Sequence, residues 1–591
     1  MRKGNHNTII MKTFKWRKDI GIAASDIPEF TEKLETHNFF DGSIEPNVLP
    51  VSIKVIKFGN DFNQPIYSNV LPKFLISIEF GHEFNRVIRE NVLPISLESI
   101  KFGYKFNQAL FENVFPNSLI SIEFGHEFNM AIGENVLPKS LKSIRFGYKF
   151  NQKLCENVLP KSLESIQFGY KFNGAISENV LPSSLISINF GKSYDKPIAI
   201  NALPKTLEYI KFGSSFDQRI LENTLPDSIK SIEFDNKTDQ RICENSLPKY
   251  LESLALCDFS DPIGYMALPD DLNSLVMYEH KRPIEKNTFP KNLKSLKIRL
   301  FNQVIGENVL PDSIELLVLV TFNQPIGTNV LPKSLKSLVL HEFDQAIGPC
   351  TLPESLESLS LGDFNNPIGQ NVIPNTLKEL ELRCFNQSID RYVLPQFLET
   401  LSLGSFNHPV GSGVFPDYLR SIRLTCFNRQ IDPNVFPENL ESLDMYSIYQ
   451  PTAINSLPKN LRSLKITSCF IRTIKASLIP DNVENISIVS EYLDNIDASY
   501  LPSNLKYLKI RSNNVLELLN PLSQHMHFQL IFDNNLLRIF DILYPLLIPK
   551  NMSYDKFYEE IGSCIVDGVE YNKIVNPIFH RTPINAKSAR K

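Results

Sequence analysis

The sequence has little of what several protein classes require. Its charges nearly balance, with 61 Lys and Arg against 65 Asp and Glu and a net charge of -4, so no global field draws it to nucleic acid or an anionic membrane. Its 8 cysteines form no C-x-x-C pair, which argues against a disulfide framework and a zinc site. Met1–Asp19 lacks the apolar core of a signal peptide, and no apolar run is long enough to cross a membrane. We therefore expect a reduced, intracellular protein with no nucleic-acid or membrane partner.

The motifs of common catalytic sites are also missing from the sequence. It contains no phosphate-binding loop, no G-x-S-x-G elbow and no H-E-x-x-H. The closest pair of histidines, His525 and His527, has no third metal ligand nearby in the sequence. We predict no enzyme activity, no catalytic residue, no metal and no cofactor.

What the sequence does contain is 39 prolines and 41 phenylalanines, and most of the prolines follow a fixed period. The proline of an N-V-L-P-like tetrad recurs every 22 residues from Pro50 to Pro248, every 21 residues from there to Pro458, and every 22 residues again to Pro502. This spacing defines 22 units. A register held over so many units indicates a repeat architecture.

Each proline is followed by an L-x-x-L-x-L segment, such as Leu335, Leu338 and Leu340. The last two apolar residues are two apart, as a strand requires to place both on one face, and the remaining residues of each unit are too few for an α-helix of average length. We predict a repeat solenoid that is mainly β. It is a leucine-rich-repeat-like parallel sheet of about 22 coils, with irregular or 3-10 return arms and small helical caps.

The period also sets the expected domain boundaries. Residues 1–39 form an N-terminal segment and cap, with a short helix expected from Ser25 to Leu34, and residues 40–511 form the solenoid. Residues 512–580 form a helical C-terminal cap, with helices expected at His527–Ile548 and Tyr554–Ile565. Residues 581–591 are a basic tail.

Two more columns accompany the repeat. Asn stands three residues before the proline in 16 of the 22 units; its side chain is expected to bond backbone groups of its own turn and of the next coil, with a local Asx turn as the alternative. Gly follows the strand in the 22-residue units, as at Gly125 and Gly147. We interpret this glycine as a turn or bulge with unusual backbone angles.

The repeat, read from Phe322 to Leu338 as FNQPIGTNVLPKSLKSL, resembles the FNIP repeat, a relative of leucine-rich repeats. The resemblance covers roughly residues 40–510. The family is found in social amoebae and in giant DNA viruses that infect amoebae, often behind an N-terminal F-box, which recruits a ubiquitin ligase. It implies a solenoid that binds proteins without catalysis, with a host protein or a ubiquitin-ligase component as partner. Residues 1–39 contain no F-box opening of the form L-P-x-E-L.

The outward positions of the predicted strands follow a charge pattern. The second position of L-x-x-L-x-L alternates in sign from Glu315 to Lys506, and the fifth position does so from Lys57 to Arg145. Because neighbouring strands are about 4.8 Å apart, this alternation favours one register over a slip by one coil. The third position is usually Ser, which either leaves a shallow face for a partner or packs easily on a curved sheet.

The charge alternation stops in the middle of the chain, where apolar residues occupy outward positions. A contiguous exposed apolar patch is typical of a binding site, although a covering element or β-propensity alone would also explain the valines. The residues predicted to bind protein are Ala255, Val276, Tyr278, Leu316, Val318, Val320 and Val339.

The sequence therefore predicts a nonenzymatic scaffold in the host cytoplasm that binds a protein partner of unknown identity through its sheet face. Two alternatives stay open: a substrate-recognition subunit of a ubiquitin ligase, and a self-associating structural protein. A small-molecule enzyme is the least favoured alternative, since it needs a polar pocket in the C-terminal region.

Overall fold

A computed structural model gives the fold of the chain. It divides the chain into two compact units, Met1–Leu300 and Phe301–Lys591. The structure describes residues 12–23, 25–235, 246–256, 268–280, 282–445, 456–467, 473–474, 479–489, 495–496, 501–511, 529–532, 565–566 and 569–570.

One parallel sheet runs through the first unit, with one strand from each described coil. Neighbouring strands pair one repeat apart, so that Ile122 lies opposite Ile144. The strands of this unit are β1 (Thr13–Trp16), β2 (Lys33–Thr36), β3 (Val55–Lys57), β4 (Ser77–Glu79), β5 (Ser99–Lys101), β6 (Ser121–Glu123), β7 (Ser143–Arg145), β8 (Ser165–Gln167), β9 (Ser187–Asn189), β10 (Tyr209–Phe212), β11 (Ser231–Phe234), β12 (Ser253–Leu256), β13 (Ser274–Glu279) and β14 (Ser295–Leu300).

The second unit repeats this arrangement with the shorter period. Leu338 lies opposite Leu317 on one side and Leu359 on the other. Its parallel sheet contains β15 (Leu316–Leu319), β16 (Ser337–Leu340), β17 (Ser358–Leu361), β18 (Glu379–Leu382), β19 (Thr400–Leu403), β20 (Ser421–Leu424), β21 (Ser442–Met445), β22 (Ser463–Thr467), β24 (Asn485–Val489), β26 (Tyr507–Arg511) and β27 (Gln529–Phe532). Two further pairs are the parallel β23 (Thr473–Ile474) and β25 (Asn495–Ile496), and the antiparallel β28 (Ile565–Val566) and β29 (Val569–Glu570).

The predicted parallel β-solenoid is confirmed, and its local cause lies in the proline and the apolar spacing. Leu119 donates its N–H to the carbonyl of Pro116 at 3.0 Å, which closes a turn just before the strand. Leu119 and the central Ile122 are 0% and 1% exposed, because the turn and the strand direct both side chains into the coil. The described return arms contain neither helix nor 3-10 helix, which confirms that they are irregular.

Phenylalanine columns fill the space between the sheet and the return arms. In the first unit one column continues the strand, as at Phe124 and Phe146, and a second lies in the following turn, as at Phe128 and Phe150. Rings of adjacent coils stack 5.8 to 6.0 Å apart in these examples, and Phe124 and Phe128 of one coil stack at 4.0 Å. The second unit keeps one column, with Phe322 and Phe343 stacked at 6.3 Å. These columns account for the high phenylalanine content.

Asparagine ladders do stabilise the coils, but at a different position from the one predicted. The Asn that follows the turn phenylalanine accepts a backbone N–H from the next coil, as when Asn107 donates to Oδ1 of Asn85 at 2.9 Å. The second unit has the same bond from Asn323 to Asn302, also at 2.9 Å. This Asn of F-N-Q therefore satisfies the return-arm amides that would otherwise lack partners.

The role predicted for the Asn before the proline is wrong. Fourteen residues of this column, from Asn47 to Asn434, are described with φ between 54° and 67°, and they are exposed. Asn suits this left-handed backbone better than other residues with a Cβ. The column is therefore selected for backbone conformation.

The interpretation of the strand-end glycines also needs correction. Only Gly413 among the described glycines has a positive φ, so the column does not need unusual backbone angles. A Cβ on Gly125 would instead lie 1.6 Å from the carbonyl oxygen of Gly103 in the preceding coil. Glycine is required here because neighbouring coils approach too closely for any side chain.

Strands replace the predicted helical caps wherever the structure describes these segments. Residues 25–34, expected to be helical, lead into β2, and β1 precedes them. Gln529–Phe532 lies inside the helix predicted from His527, yet it pairs with β26. The prediction failed because it counted coils by their prolines. The coil of Leu530 lacks the proline, although Leu530 follows Leu508 at the 22-residue spacing. The rest of residues 512–580, including residues 554–564 of the second predicted helix, lies outside the described residues apart from β28 and β29.

Candidate protein-binding surface on the sheet

The third and fifth positions of each L-x-x-L-x-L segment lie on the outer face of the sheet, as predicted. In β16, Leu338 is buried, whereas Ser337 and Val339 on either side of it are half-buried. The strand period of two produces this alternation. Since parallel strands pair in register, each outward position forms a straight column of side chains across successive coils.

The predicted charge alternation forms real ion pairs. In the fifth position Lys57 lies 3.1 Å from Glu79. In the second position Lys378 Nζ lies 2.7 Å from Glu357; this bond holds the pKa of Glu357 below its ordinary value and raises that of Lys378. Such exposed pairs contribute little to stability, so their main effect is on register.

Three of the predicted binding residues lie in the first unit. Ala255 of β12 pairs with Val276 of β13, whose side chain is 38% exposed. The next strand then places Lys297 opposite Val276, and the guanidinium of Arg299 lies 4.9 Å from the ring centre of Tyr278. The apolar column of this unit therefore ends at Val276, beside a basic strand.

The other four predicted residues lie in the second unit. Val318 and Val339 are paired neighbours on β15 and β16, and Leu316 occupies the third position of β15, opposite Ser337. Val320 follows the strand and accepts the N–H of Glu342 at 2.9 Å through its carbonyl. All four side chains are half-buried, so the valines form a shallow apolar surface.

A polar groove of about 450 Å³ adjoins this surface on the same sheet. Val339 pairs with Ser360, which in turn pairs with Glu381, so the apolar column continues directly into the groove. The groove is lined by Ser358, Ser360, Glu379, Glu381, Thr400, Ser402, Ser421, Arg423, Ser442, Asp444, Ser463 and Lys465, among others. The small hydroxyls of the third position thus do leave a depression.

Charges inside the groove are partly paired. Asp444 lies 3.2 Å from Arg423 and 2.9 Å from Lys465. Glu381 accepts a hydrogen bond from the hydroxyl of Ser360 at 2.9 Å. Hydroxyls, one paired acid and exposed glutamates give this groove many hydrogen-bonding groups and no buried reactive group. That chemistry suits recognition of a polar segment.

A column of stacked rings, not predicted from the sequence, lies at the strand ends of the first unit. We call it the ring column: His82, Tyr104, His126, Tyr148 and Tyr170. Adjacent rings stack with their centres 4.2 to 4.6 Å apart, yet Tyr104 and Tyr170 are about 40% exposed. The alternation of G-H-E-F and G-Y-K-F in the sequence was the signal for this column.

Two other features are absent from the described part of the chain. No cluster there brings together three or more His, Cys, Asp or Glu side chains able to hold a metal ion. Nor do the described residues include a helix with the length and apolar character needed to span a membrane. His525 and His527 lie outside the described residues.

Comparisons with known proteins agree with the repeat. A family profile described as the FNIP Repeat matches residues 22–469 in thirteen segments, most of which span two coils. No curated protein matches the sequence. The solved structure of CroV588, a circular leucine-rich-repeat protein of a giant virus, is 36% identical, with 87% of this chain and 84% of that chain covered and a TM-score of 0.73. The Drosophila Toll–Spätzle complex is 13% identical over 85% of this chain and 84% of that chain, with a TM-score of 0.44.

Proposed function

The chain belongs to the FNIP-repeat family, and from that premise we propose that it is a nonenzymatic scaffold that binds a partner protein through the outer face of its sheet. Repeat solenoids of this type are typical of protein-interaction scaffolds, because they present long regular surfaces. The proposed partner is a protein of the host cell, since the related CroV588 belongs to a giant virus.

One observation carries the proposal: in the second unit the outward column passes directly from apolar to hydroxyl-bearing and charged side chains. Val318 and Val339 are adjacent, and Ser360 follows them in register. An apolar patch bordered by polar groups has the composition of a protein-binding site. The charged pairs elsewhere on the sheet alternate regularly and are explained by register alone.

The test is proximity labelling in amoeba cells with the wild-type chain and a Val318→Asp, Val339→Asp variant. The two aspartates would remove the apolar contact with the partner, and their carboxylates would have to be desolvated on binding. Specific partners should therefore no longer be labelled. The matched control is Val304→Asp, Thr328→Asp, which adds the same charges at exposed return-arm positions of the second unit. Partners should persist in the control, and circular dichroism should show that both variants fold.

Three results would replace the proposal. If both variants keep every partner, the valines serve the fold. If captured ligase subunits depend on residues 1–45, the ligase-adaptor alternative takes over, although described residues in this range form β1 and β2. If light scattering shows a concentration-dependent oligomer that the sheet variant abolishes, the partner is a second copy of the chain.

A further inference from the structure

A second surface lies at the strand ends of the first unit, beside the ring column. The residue after each ring alternates in charge through the sequence Glu83, Lys105, Glu127 and Lys149. Glu83 is bound by Lys105 at 2.5 Å and by Nδ1 of His82 at 2.9 Å. In two consecutive coils, one G-H-E-F and one G-Y-K-F, the glutamate charge of the first is therefore neutralised by the lysine charge of the second.

The next pair of coils repeats this arrangement. Glu127 accepts a hydrogen bond from Nδ1 of His126 at 2.8 Å and forms an ion pair with Lys149. These bonds lower the pKa of Glu127 and raise that of Lys149. Beside the ring column, Glu83 and Glu127 thus each have both a histidine and a lysine as partners.

The alternation then breaks. Gly169–Phe172 repeats G-Y-K-F where a G-H-E-F coil would be due, and the following coil carries Lys192 after its glycine. Neither Lys171 nor Lys192 forms an ion pair with a carboxylate in the described ranges. Their ammonium groups instead lie 5.9 Å from the ring centre of Tyr148 and 5.2 Å from that of Tyr170, respectively. The break leaves two exposed cations without an acidic partner.

Neighbouring columns do not supply the missing negative charge. The fifth-position column, which alternates in charge up to Arg145, continues with Gln167 and Asn189 in these two coils. The carboxylate of Asp195, three residues after Lys192, accepts the N–H of Asp217 at 2.9 Å and the amide of Gln218 at 2.8 Å and forms no ion pair with either lysine. Both lysine side chains are exposed, so this positive charge is accessible to a partner.

We propose that this basic end of the ring column, formed by Tyr148, Tyr170, Lys171 and Lys192, binds an acidic segment of another protein. The two lysines offer charge-assisted hydrogen bonds to carboxylates, and the tyrosines offer hydroxyl donors beside them. The site is separate from the sheet face and does not depend on the function proposed there.

A short acidic segment fits better than nucleic acid. The basic end spans only two coils, about 10 Å, and the glutamates at Glu83 and Glu127 follow on the same edge. A polynucleotide has a negative charge at every phosphate and needs a longer positive track, which the preceding coils do not offer because Lys105 and Lys149 are already paired with Glu83 and Glu127. Two or three carboxylates can bind the lysines without reaching that region.

The proposal can be tested with the purified full chain and a fluorescein-labelled peptide of six glutamates, by fluorescence anisotropy at low salt. Replacing Lys171→Gln and Lys192→Gln should weaken binding at least about tenfold, because both cations are lost. The matched control, Lys105→Gln with Lys149→Gln, removes the same number of charges from two earlier coils beside the ring column. It should change affinity by less than about threefold, because those lysines are already paired with glutamates.

A repair variant guards against loss of fold. Tyr170→His with Lys171→Glu recreates the G-H-E-F coil that the chain already has at Gly81–Phe84 and Gly125–Phe128, so it should fold and lose peptide binding. Equal losses in the patch and control variants would overturn the proposal by showing non-specific attraction. It would also be overturned if a 12-nucleotide oligo(dT) bound more tightly than the peptide and lost affinity in the same variants.

Discussion

At the residue scale, the position three residues before each proline keeps the same backbone conformation when its side chain changes. Asn usually occupies it with φ near 60°, but Cys350 (φ 60°) and Tyr392 (φ 69°) adopt the same conformation. Tyr392 is 82% exposed, so no burial offsets the strain of a left-handed backbone there. The conformation is thus kept where another residue replaces Asn, and Asn lowers its cost.

The sequence could reveal this column but not its role. An Asn that bonds neighbouring amides and an Asn that tolerates positive φ leave the same spacing in a sequence. The Asn of F-N-Q, which does bond the next coil, was equally visible at Asn85 and Asn107. Only hydrogen-bond geometry separates the two columns.

Tyr194 gives the prediction at this scale. It is fully buried in the turn column between Phe172 and Phe216, and its hydroxyl has no hydrogen-bond partner. Burial raises its pKa far above the ordinary value. Tyr194→Phe should stabilise the first unit by about 1 kcal/mol, because Phe removes a buried hydroxyl that loses its hydrogen bonds to water on folding and gains none in return. The measurement is urea unfolding followed by circular dichroism.

The reciprocal change provides the control for Tyr194. Phe172→Tyr places a second hydroxyl in the adjacent position of the same column and should destabilise the unit by about 1 to 3 kcal/mol. If Tyr194→Phe instead lowers stability, the Tyr194 hydroxyl has a partner in solution, such as a buried water.

At the scale of the element, the coil depends on contact between backbones. The glycine column brings Gly103 and Gly125 so close that no Cβ fits between them. This contact lies at the end of the strand, where the longer repeat carries its extra residue. The stacked phenylalanines then pack beneath the approaching chains.

Gly125→Ala should therefore disrupt stacking. Its methyl group would lie 1.6 Å from a backbone oxygen that cannot rotate away, so we expect a loss of at least about 3 kcal/mol of unfolding free energy. Gly133→Ala is the control, since its nearest heavy atom would be the Val136 side chain at 3.7 Å. Limited proteolysis should cleave the first variant faster and the second at the wild-type rate. Equal cleavage rates would contradict the close-contact explanation.

Much of the element-level structure could be predicted from spacing. Leu335, Leu338 and Leu340 identified a strand and its buried face, and the outward positions of Val318 and Val339 followed from the same period. The groove beside them could not be predicted, because it depends on how small side chains combine across coils. The ring column was missed for a related reason: stacking of side chains 22 residues apart becomes visible only with the register.

At the scale of the whole molecule, charge pairing links stability to pH. Carboxylates in both units have lowered pKa values because lysines bond them, including Glu83 through Lys105 and Glu357 through Lys378. A lowered folded-state pKa means that the stabilisation is present above the unfolded pKa and is lost as pH falls through the folded value.

We therefore expect thermal unfolding midpoints to fall as the pH decreases from about 5 to about 3, across and below the ordinary carboxylate range. In 1 M salt the fall in midpoint between pH 5 and pH 3 should be smaller, because the Lys–Glu pairs are exposed and salt screens them. Differential scanning calorimetry at several pH values measures both effects. Midpoints that do not vary over this interval would show that the ion pairs carry no linkage to folding.

The two-coil alternation of charge also bears on how such a gene can change in length. Removing one coil would preserve the glycine, phenylalanine and asparagine columns but would place Lys57 beside Lys101, or Glu79 beside Glu123, and duplicating one coil would place a charged residue beside its own copy. Removing or duplicating two coils would preserve every column, including the charges. Recombination between repeats is thus tolerated best in steps of two, and lineages of this gene should differ mostly by even numbers of coils.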